Sequence, residues 1–317
     1  MLEIFFGNVG DGDAVLIREI REGEQDFNLL VDAGRPYVEA REGSLRKDAL
    51  DYLAARKIRH LDRMIITHPH IDHIGGALRI LREIPADRLE MMTLPPEGAR
   101  YVLRSFTLPD KVVNGLRHMM NVIRELTDEA KARGTVTAVL PEGPQQLTER
   151  LRMTVIYPRR EVRERQKAVF DALYRGEDVP YDLCWQTAKE RNIASLMLRF
   201  EYAGRSILIS GDRYASDFEE EDLAPCDILK VPHHGDEKSV TETAVRKLSP
   251  QYAVISCEND AKAKKERPHE ETACMLQENV PQLLCTENRA MKCLPETTHN
   301  GICFTIAEDG TISCRCE

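Results

Sequence analysis

No apolar run in this sequence approaches the roughly 20 residues that a membrane-crossing helix needs, so no membrane segment is expected. Nor is there an excess of positive charge. Lysine and arginine number 44 against 53 aspartates and glutamates, for a formal net charge of −9. That balance argues against a generally basic nucleic-acid-binding surface, although a local basic groove or bound cations would still attract phosphate. The opening stretch, MLEIFFGNVGDGDAVLI, has neither a basic leader nor a small-residue cleavage site; it alternates like a first strand. The 9 cysteines include no CxxC pair, and without a leader they are expected to be reduced thiols in a cytoplasmic protein. Cys314 and Cys316 form the only close pair and read as tail thiols. There is no repeat of fixed period and no low-complexity segment.

What is present is an ordinary globular composition, 42 % hydrophobic over 317 residues, enough to bury a sizeable core. LEIFFGNV, AVLIREI, NLLVDAG and DRMIITH read as strands, with helical spacing in KDALDYLAARKI and GGALRILREI. Residues 97–134 and 159–190 carry long charged helical patterns, with strands expected at TVTAVL and RLRMTVIYP between them. The last third returns to short apolar strands: SLMLRFEY, RSILISGD, DILKVPHHG, YAVISCEN and ICFTIAED. TETAVRKL and EETACMLQEN are helical segments among them. Many strands in two groups with helices between them predict two sheets covered by helices.

The segment ITHPHIDHIGG, residues 66–76, spends three of the chain's 9 histidines beside one aspartate. Imidazole and carboxylate suit zinc, iron and manganese. His68 and His70 stand two apart, so in an extended segment both rings point the same way. Asp72 and His73 sit at the turn before a helix and aim at a second point nearby, so one loop serves two adjacent metals. A plain polar loop with Asp72 as a helix cap needs one aspartate, not three histidines around it. Two further segments end apolar strands in polar residues: SILISGD in Asp212 and DILKVPHHG in His233 and His234. Ligands at the carboxyl ends of strands converge on one edge of a sheet.

With these motifs in this order the chain resembles the metallo-β-lactamase superfamily. It is most similar to the hydrolase domain of DNA-uptake competence channel proteins and more loosely to the phosphorylcholine esterases. VGDGDAVLI, LLVDAG, LDRMIITHPHIDHIGG, NIASLMLRF, ILISGD, ILKVPHHG, YAVISCEN and RPHEE carry the resemblance over almost the whole chain. It implies an α/β fold, the αββα four-layer sandwich, as one catalytic domain over residues 1–317. The helical middle, about 97–190, is then an insertion that covers the metal edge as a lid, makes a dimer contact, or packs as plain core through Met119, Met120, Phe170 and Trp185. By position, the resemblance puts His68 and His70 on one metal and Asp72, His73 and His234 on the other, with Asp212 bridging. His233 then faces substrate; the alternative exchanges the roles of His233 and His234. A further first-metal histidine found in many members is missing here. Asn192, in NIAS, stands in the corresponding stretch, and the only histidine in the interval, His118, is expected to be an ordinary helix residue.

The resemblance adds weaker candidates. Asp13 and Asp32 match acidic positions near the site; the plain alternative is that they fix turns. His269, in RPHEE, is either an active-site residue or a helix start. Lys262, Lys264 and Lys265 receive a phosphate backbone or form a solvated loop. Two divalent ions, zinc first and manganese or iron next, about 3.5–4 Å apart, would share a bridging hydroxide that attacks phosphorus or a carbonyl carbon. Asp72 would orient it, and His233 would stabilise phosphoryl oxygens or protonate the leaving alkoxide. The expected function is phosphodiester hydrolysis, as a nuclease or a nucleotide phosphodiesterase, on a phosphate-ester substrate that is a nucleotide or nucleic acid. The alternatives are a thioester or lactone hydrolase and a metal-bound sensing or scaffolding protein without turnover.

Overall fold

The computed structural model describes residues 1–39, 41–100, 111–259 and 266–317. The lysine cluster at 262, 264 and 265 lies outside the described residues. Strand β1 (Leu2–Gly7) turns Ile4 and Phe6 to one face and Phe5 to the other, as a period of two requires. The next strands repeat the division. β2 (Val15–Glu19), β3 (Phe27–Val31) and β4 (Leu61–Ile66) send Ile17, Leu29, Val31 and Ile65 one way and Leu16, Leu30, Met64 and Ile66 the other. Strands apolar on both faces belong to a sheet covered on both sides.

β5 (Ala86–Met91) and β6 (Val136–Val139) extend this sheet. The chain then builds a second sheet. Its strands are β7 (Gly143–Gln146), β8 (Arg152–Tyr157), β9 (Met197–Tyr202), β10 (Arg205–Ser210), β11 (Ile228–Lys230), β12 (Tyr252–Ile255) and β13 (Gln282–Cys285). After a short pair, β14 (Glu287–Asn288) with β15 (Thr297–Thr298), it returns to the first sheet. There β16 (Gly301–Ile306) and β17 (Ile312–Cys316) add beside β1. The first sheet is eight-stranded, in the order β17-β16-β1-β2-β3-β4-β5-β6. The second is seven-stranded, β13-β12-β11-β10-β9-β8-β7. Each has a parallel half: β3 to β6 in the first, β10 to β13 in the second.

Between the sheets, Ile4, Phe6, Ile17 and Leu29 meet Val155, Leu198, Phe200 and Ile209 in one core. Helices cover the outer faces. α1 (Ala49–Ala55), the single turn α2 (Ile71–Ile74) and α3 (Ala77–Glu83) lie on the first-sheet side. So do the middle helices α4 (Lys111–Ala132), α5 (Arg160–Arg175) and α6 (Tyr181–Lys189). α7 (Glu242–Leu248) and α8 (Glu270–Asn279) pack Val245, Leu248 and Leu276 on Leu208, Leu229 and Ile255 of the second. The four layers expected from the sequence are present. The middle of the chain is also where it passes from one sheet to the other, since β6, β7 and β8 lie between α4 and α5. Met119, Met120 and Phe170 are buried in the outer core, whereas Trp185 is 42 % exposed.

The cysteines depart from expectation. Cys274, on α8, is joined to Cys293 in a disulfide, with Cα atoms 5.2 Å apart. Nothing in the sequence marks the pair, because α8 meets that loop only through the tertiary fold. Cys184, Cys226, Cys257, Cys285, Cys303, Cys314 and Cys316 are free.

Phe200 is fully buried between the sheets. Phe200→Ala is expected to cost about 3–5 kcal/mol, read as a lowered midpoint in chemical denaturation. Val136→Thr, on the exposed side of β6, should change it by less than about 0.5 kcal/mol.

Candidate metal centre

Five strand ends meet at one edge of the two sheets. β3 runs into Asp32, β4 into His68, β10 into Asp212, β11 into His233 and His234, and β12 into Ser256. All five belong to the parallel halves, so their carboxyl ends point the same way. Asp32 takes a left-handed backbone conformation (φ 59°), which aspartate enters more readily than most residues. Its two carboxylate oxygens accept from the Thr67 N–H and the Thr67 hydroxyl, both at 2.7 Å. Thr67 is thereby fixed immediately before His68.

Each of three buried histidines uses one ring nitrogen on the protein and turns the other inward. His68 Nδ1 lies 3.2 Å from both Thr67 Oγ1 and Ser195 Oγ. His73 Nδ1 lies 2.8 Å from Asp32 Oδ2, and His234 Nδ1 lies 3.0 Å from the Ser256 carbonyl. The inward Nε2 atoms face Asp212: His68 at 3.4 Å from Oδ2, His73 at 3.2 Å and His234 at 3.6 Å from Oδ1. His70 Nδ1 stands 2.8 Å from His68 Nε2, and Asp72 Oδ2 stands 3.9 Å from His234 Nε2. His68, His70 and Asp212 form one group whose ligand atoms lie within 4.8 Å of one another. Asp72, His73 and His234 form a second on the same measure.

The donor set fits divalent cations. His73 Nε2, His234 Nε2 and Asp212 Oδ1 are buried without a hydrogen-bond partner, a costly arrangement for convergent polar atoms. Fixing one imidazole nitrogen on a carboxylate or carbonyl is also how metal-ligating histidines are oriented. Burial pushes the Asp212 carboxyl up, but His73, His68 and His234 outweigh it and hold it well below its usual value. Burial lowers His73, yet Asp212 and Asp32 on either side raise it well above its ordinary value. Burial drives His68 down to about 3.

A second ring of residues holds these in place. Lys230, fully buried, pairs with Asp13. The Asp13 carboxylate also lies 3.6 Å from His73 Nδ1 and 3.7 Å from His234 Nδ1. Burial, opposed by Lys230, raises Asp13 to about 6. Ser195 Oγ accepts from the Asp212 N–H at 3.1 Å. A Cβ at Gly211 would fall 2.1 Å from that hydroxyl oxygen, so only glycine lets β10 deliver Asp212 beside it. His233, His234 and Gly235 are three consecutive left-handed residues, φ 47°, 55° and 74°. They send the two imidazoles in different directions. Arg267 Nη2 donates to His233 Nε2 at 2.6 Å, while that nitrogen lies 3.7 Å from Asp212 Oδ2.

A cleft of about 380 Å³ opens over this edge. His70, Asp72, Asp212 and His233 line it, with Arg35, Arg191, Arg267 and one face of α4. Asn192 stands back from it, bonded to Tyr214, whose ring packs on His233 at 5.0 Å. His269 is placed at the N-cap of α8, its N–H donating to the Gly235 carbonyl at 2.8 Å. From the RPHEE segment it is Arg267 that lines the cleft. His118 is exposed at the cleft rim. Sequence reasoning missed Thr67, Ser195, Lys230, Arg35, Arg191 and Arg267. Each adjoins or lies within a motif already quoted, but a neighbour's side-chain direction is not written in the motif.

A family model described as the metallo-beta-lactamase superfamily matches residues 7–258. The chain belongs to that superfamily. It is a metallo-hydrolase by that membership, and members use divalent metals, often in pairs. It is similar to ComE operon protein 3 of Bacillus subtilis, 25 % identical over 298 residues. That match covers 90 % of this chain and 32 % of the relative, so the chain spans about a third of the relative's length. Among solved structures it is similar in fold to Igni18, a metallo hydrolase from Ignicoccus hospitalis, with a TM-score of 0.50 and 15 % identity; the match covers 96 % of this chain and 100 % of that one. YhfI of Bacillus subtilis, a metallo-beta-lactamase fold protein, matches with a TM-score of 0.48 and 11 % identity, over 93 % of this chain and 98 % of that one. Among the described residues no helix is long and apolar enough to cross a membrane.

Asp32→Asn keeps the left-handed backbone but weakens the grip on His73. Metal affinity is expected to fall about 10–100-fold, measured by competition with a chromophoric chelator. Unchanged affinity would show that His73 is oriented by other contacts.

Proposed function

We propose that this superfamily member is a dinuclear metal-dependent phosphodiesterase acting on a nucleotide or nucleic-acid phosphodiester. The observation that carries it is the division of labour on Asp212: one oxygen faces His68, and the other faces His73 and His234. His68, His70 and Asp212 would hold one ion; Asp72, His73 and His234 would hold the other, with Asp212 between them. Zinc suits this set of imidazoles and carboxylates, and manganese or iron would also be accepted. Bound divalent cations supply an activated water nucleophile and neutralise charge on the substrate oxygens.

The protein's own groups do the rest. Asp72 stands at the cleft side of the centre, where its carboxylate orients the attacking water and takes its proton. Arg267 supports phosphorus over carbon. Its side chain is 8 % exposed, and its guanidinium is braced by Asp11 and Asp236 at 3.4 and 3.6 Å. A planar fork of N–H donors matches the oxygens of a phosphodiester. A thioester or lactone offers one neutral carbonyl oxygen, whereas a phosphodiester presents two oxygens that share a negative charge. Because Arg267 donates to His233 Nε2, His233 fixes the guanidinium beside Asp212, and Arg267 is the donor aimed at the phosphoryl oxygens. Hydrolysis adds water across one P–O bond: phosphorus gains the hydroxyl, and the leaving oxygen gains a proton.

Protein purified without added metal is expected to carry two divalent ions per chain by elemental analysis. Loaded with zinc or manganese, it should hydrolyse bis-p-nitrophenyl phosphate and leave thioesters and lactones intact. Asp72→Ala should lower kcat at least about 100-fold with the unfolding midpoint kept; parent-like kcat would sink the assignment.

The pH dependence of loading follows from His73. Its raised pKa means that it carries a proton near neutrality in the metal-free state. That proton must leave before Nε2 becomes a ligand. Affinity should therefore rise with pH, by up to about tenfold per unit for one displaced proton. Titrations between pH 6 and 8 that show no slope would rule this out.

A further inference from the structure

The cleft holds guanidiniums besides the one assigned to the scissile phosphodiester. Arg35 and Arg191 line it together with Arg267. Arg35 Nη2 lies 3.0 Å from Asp11 Oδ2, and Arg267 Nη1 lies 3.4 Å from Asp11 Oδ1. Asp11 thus lies between the two guanidiniums, and Arg267 has Asp236 as a second carboxylate. Arg191 donates to the Ala188 carbonyl at 2.6 Å, and among the described residues it has no ion pair. A guanidinium drawn partly out of water without its own carboxylate is costly. Such an arrangement is suited to an anion that arrives with a ligand. The whole chain is acidic, with a net charge of −9, so three guanidiniums lining one cleft with Asp72 and Asp212 are not a general property of the surface.

The wall contributed by α4 says what else the ligand carries. Gly115, His118, Met119 and Val122 line the cleft, at the i, i+3, i+4 and i+7 spacing of one helical face. A Cβ at 115 would lie 3.5 Å from Arg191 Nη1, an ordinary contact distance, so the guanidinium sits against this turn of α4. Beyond it, the half-buried Val122 offers an apolar edge beside the cations, while Met119 is buried. α4 walls one side of the cleft, whose volume of about 380 Å³ is within the range of small-ligand sites.

We propose that Arg35 and Arg191 form a subsite for a second phosphate of a nucleotide-sized phosphodiester, whose nucleoside lies along Val122. This rests on the phosphodiesterase reading and names its substrate class. The bond broken is the one beside Asp212; the second phosphate is held and left intact. A short phosphodiester with a terminal phosphate meets the description, and a long polymer does not need one.

The test uses the full chain and four probes: 5′-phosphorylated dithymidylate, dithymidylate without that phosphate, a long single-stranded DNA without a terminal phosphate, and bis-p-nitrophenyl phosphate. In calorimetric titration of the metal-free protein, the phosphorylated dinucleotide should bind at least about tenfold more tightly than its counterpart. Arg35→Gln and Arg191→Met should each bring that ratio to within about twofold. With manganese-loaded protein the same preference should appear in kcat/KM, through KM rather than kcat. Turnover without preference between the two dinucleotides overturns the subsite alone. A preference that survives in both variants overturns its assignment to these arginines. A long single-stranded DNA without a terminal phosphate, cleaved as well as the phosphorylated dinucleotide, overturns the size limit. Absence of turnover on all four probes overturns the phosphodiesterase reading, whatever the binding shows.

Discussion

An ionised carboxylate buried among imidazoles is the constraint on which this structure turns. Asp212 is almost wholly removed from water, and removal from water favours the neutral acid. It stays ionised because three histidine nitrogens face it at 3.2–3.6 Å. Those rings can face it only if something else holds their far sides, and that is the work of Thr67, Ser195, Asp32 and the Ser256 carbonyl. Asp32 in turn needs a backbone conformation that few residues accept, and Asp13 needs the buried Lys230. The polar shell is thus a chain of dependencies that radiates from one residue.

The layers were legible because strands covered on both faces read as nearly continuous apolar runs. Ile4, Phe5 and Phe6 in succession leave no solvent face for β1. The ligand candidates were legible because metal chemistry concentrates one residue type at fixed spacing. Strands β5 and β7 were harder to see. β7, with Gly143 and Pro144, has little apolar content, and it is a strand because it pairs with β8 at the edge of the sheet. The disulfide and the cleft arginines were hidden for a related reason. Arg35, Arg191 and Arg267 come from three distant loops, and only the meeting of the two sheets gives them a common address.

The middle of the chain shows how one segment answers to two demands. Its helices bury Met119, Met120 and Phe170 against the first sheet, as ordinary core residues would be buried. The same helix that buries Met119 brings Gly115 and His118 to the rim of the cleft. An amphipathic helix laid across the end of a sheet therefore contributes to stability through one stripe and to ligand shape through the turn that overhangs the edge.

Both candidate ligand groups draw from the two sheets at once. His68, His70, Asp72 and His73 follow β4 of the first, whereas Asp212 and His234 follow β10 and β11 of the second. A cation in either group is then a clamp between two slabs that otherwise adhere mostly through apolar contact, which is slippery along its plane, and through a few polar links such as the Lys230–Asp13 pair. A small slide of one sheet over the other would keep most of the core buried yet part Asp212 from His68 and His73. Ion occupancy and sheet alignment are in this way one mechanical variable, and the metal edge is the place where the sandwich is pinned in register.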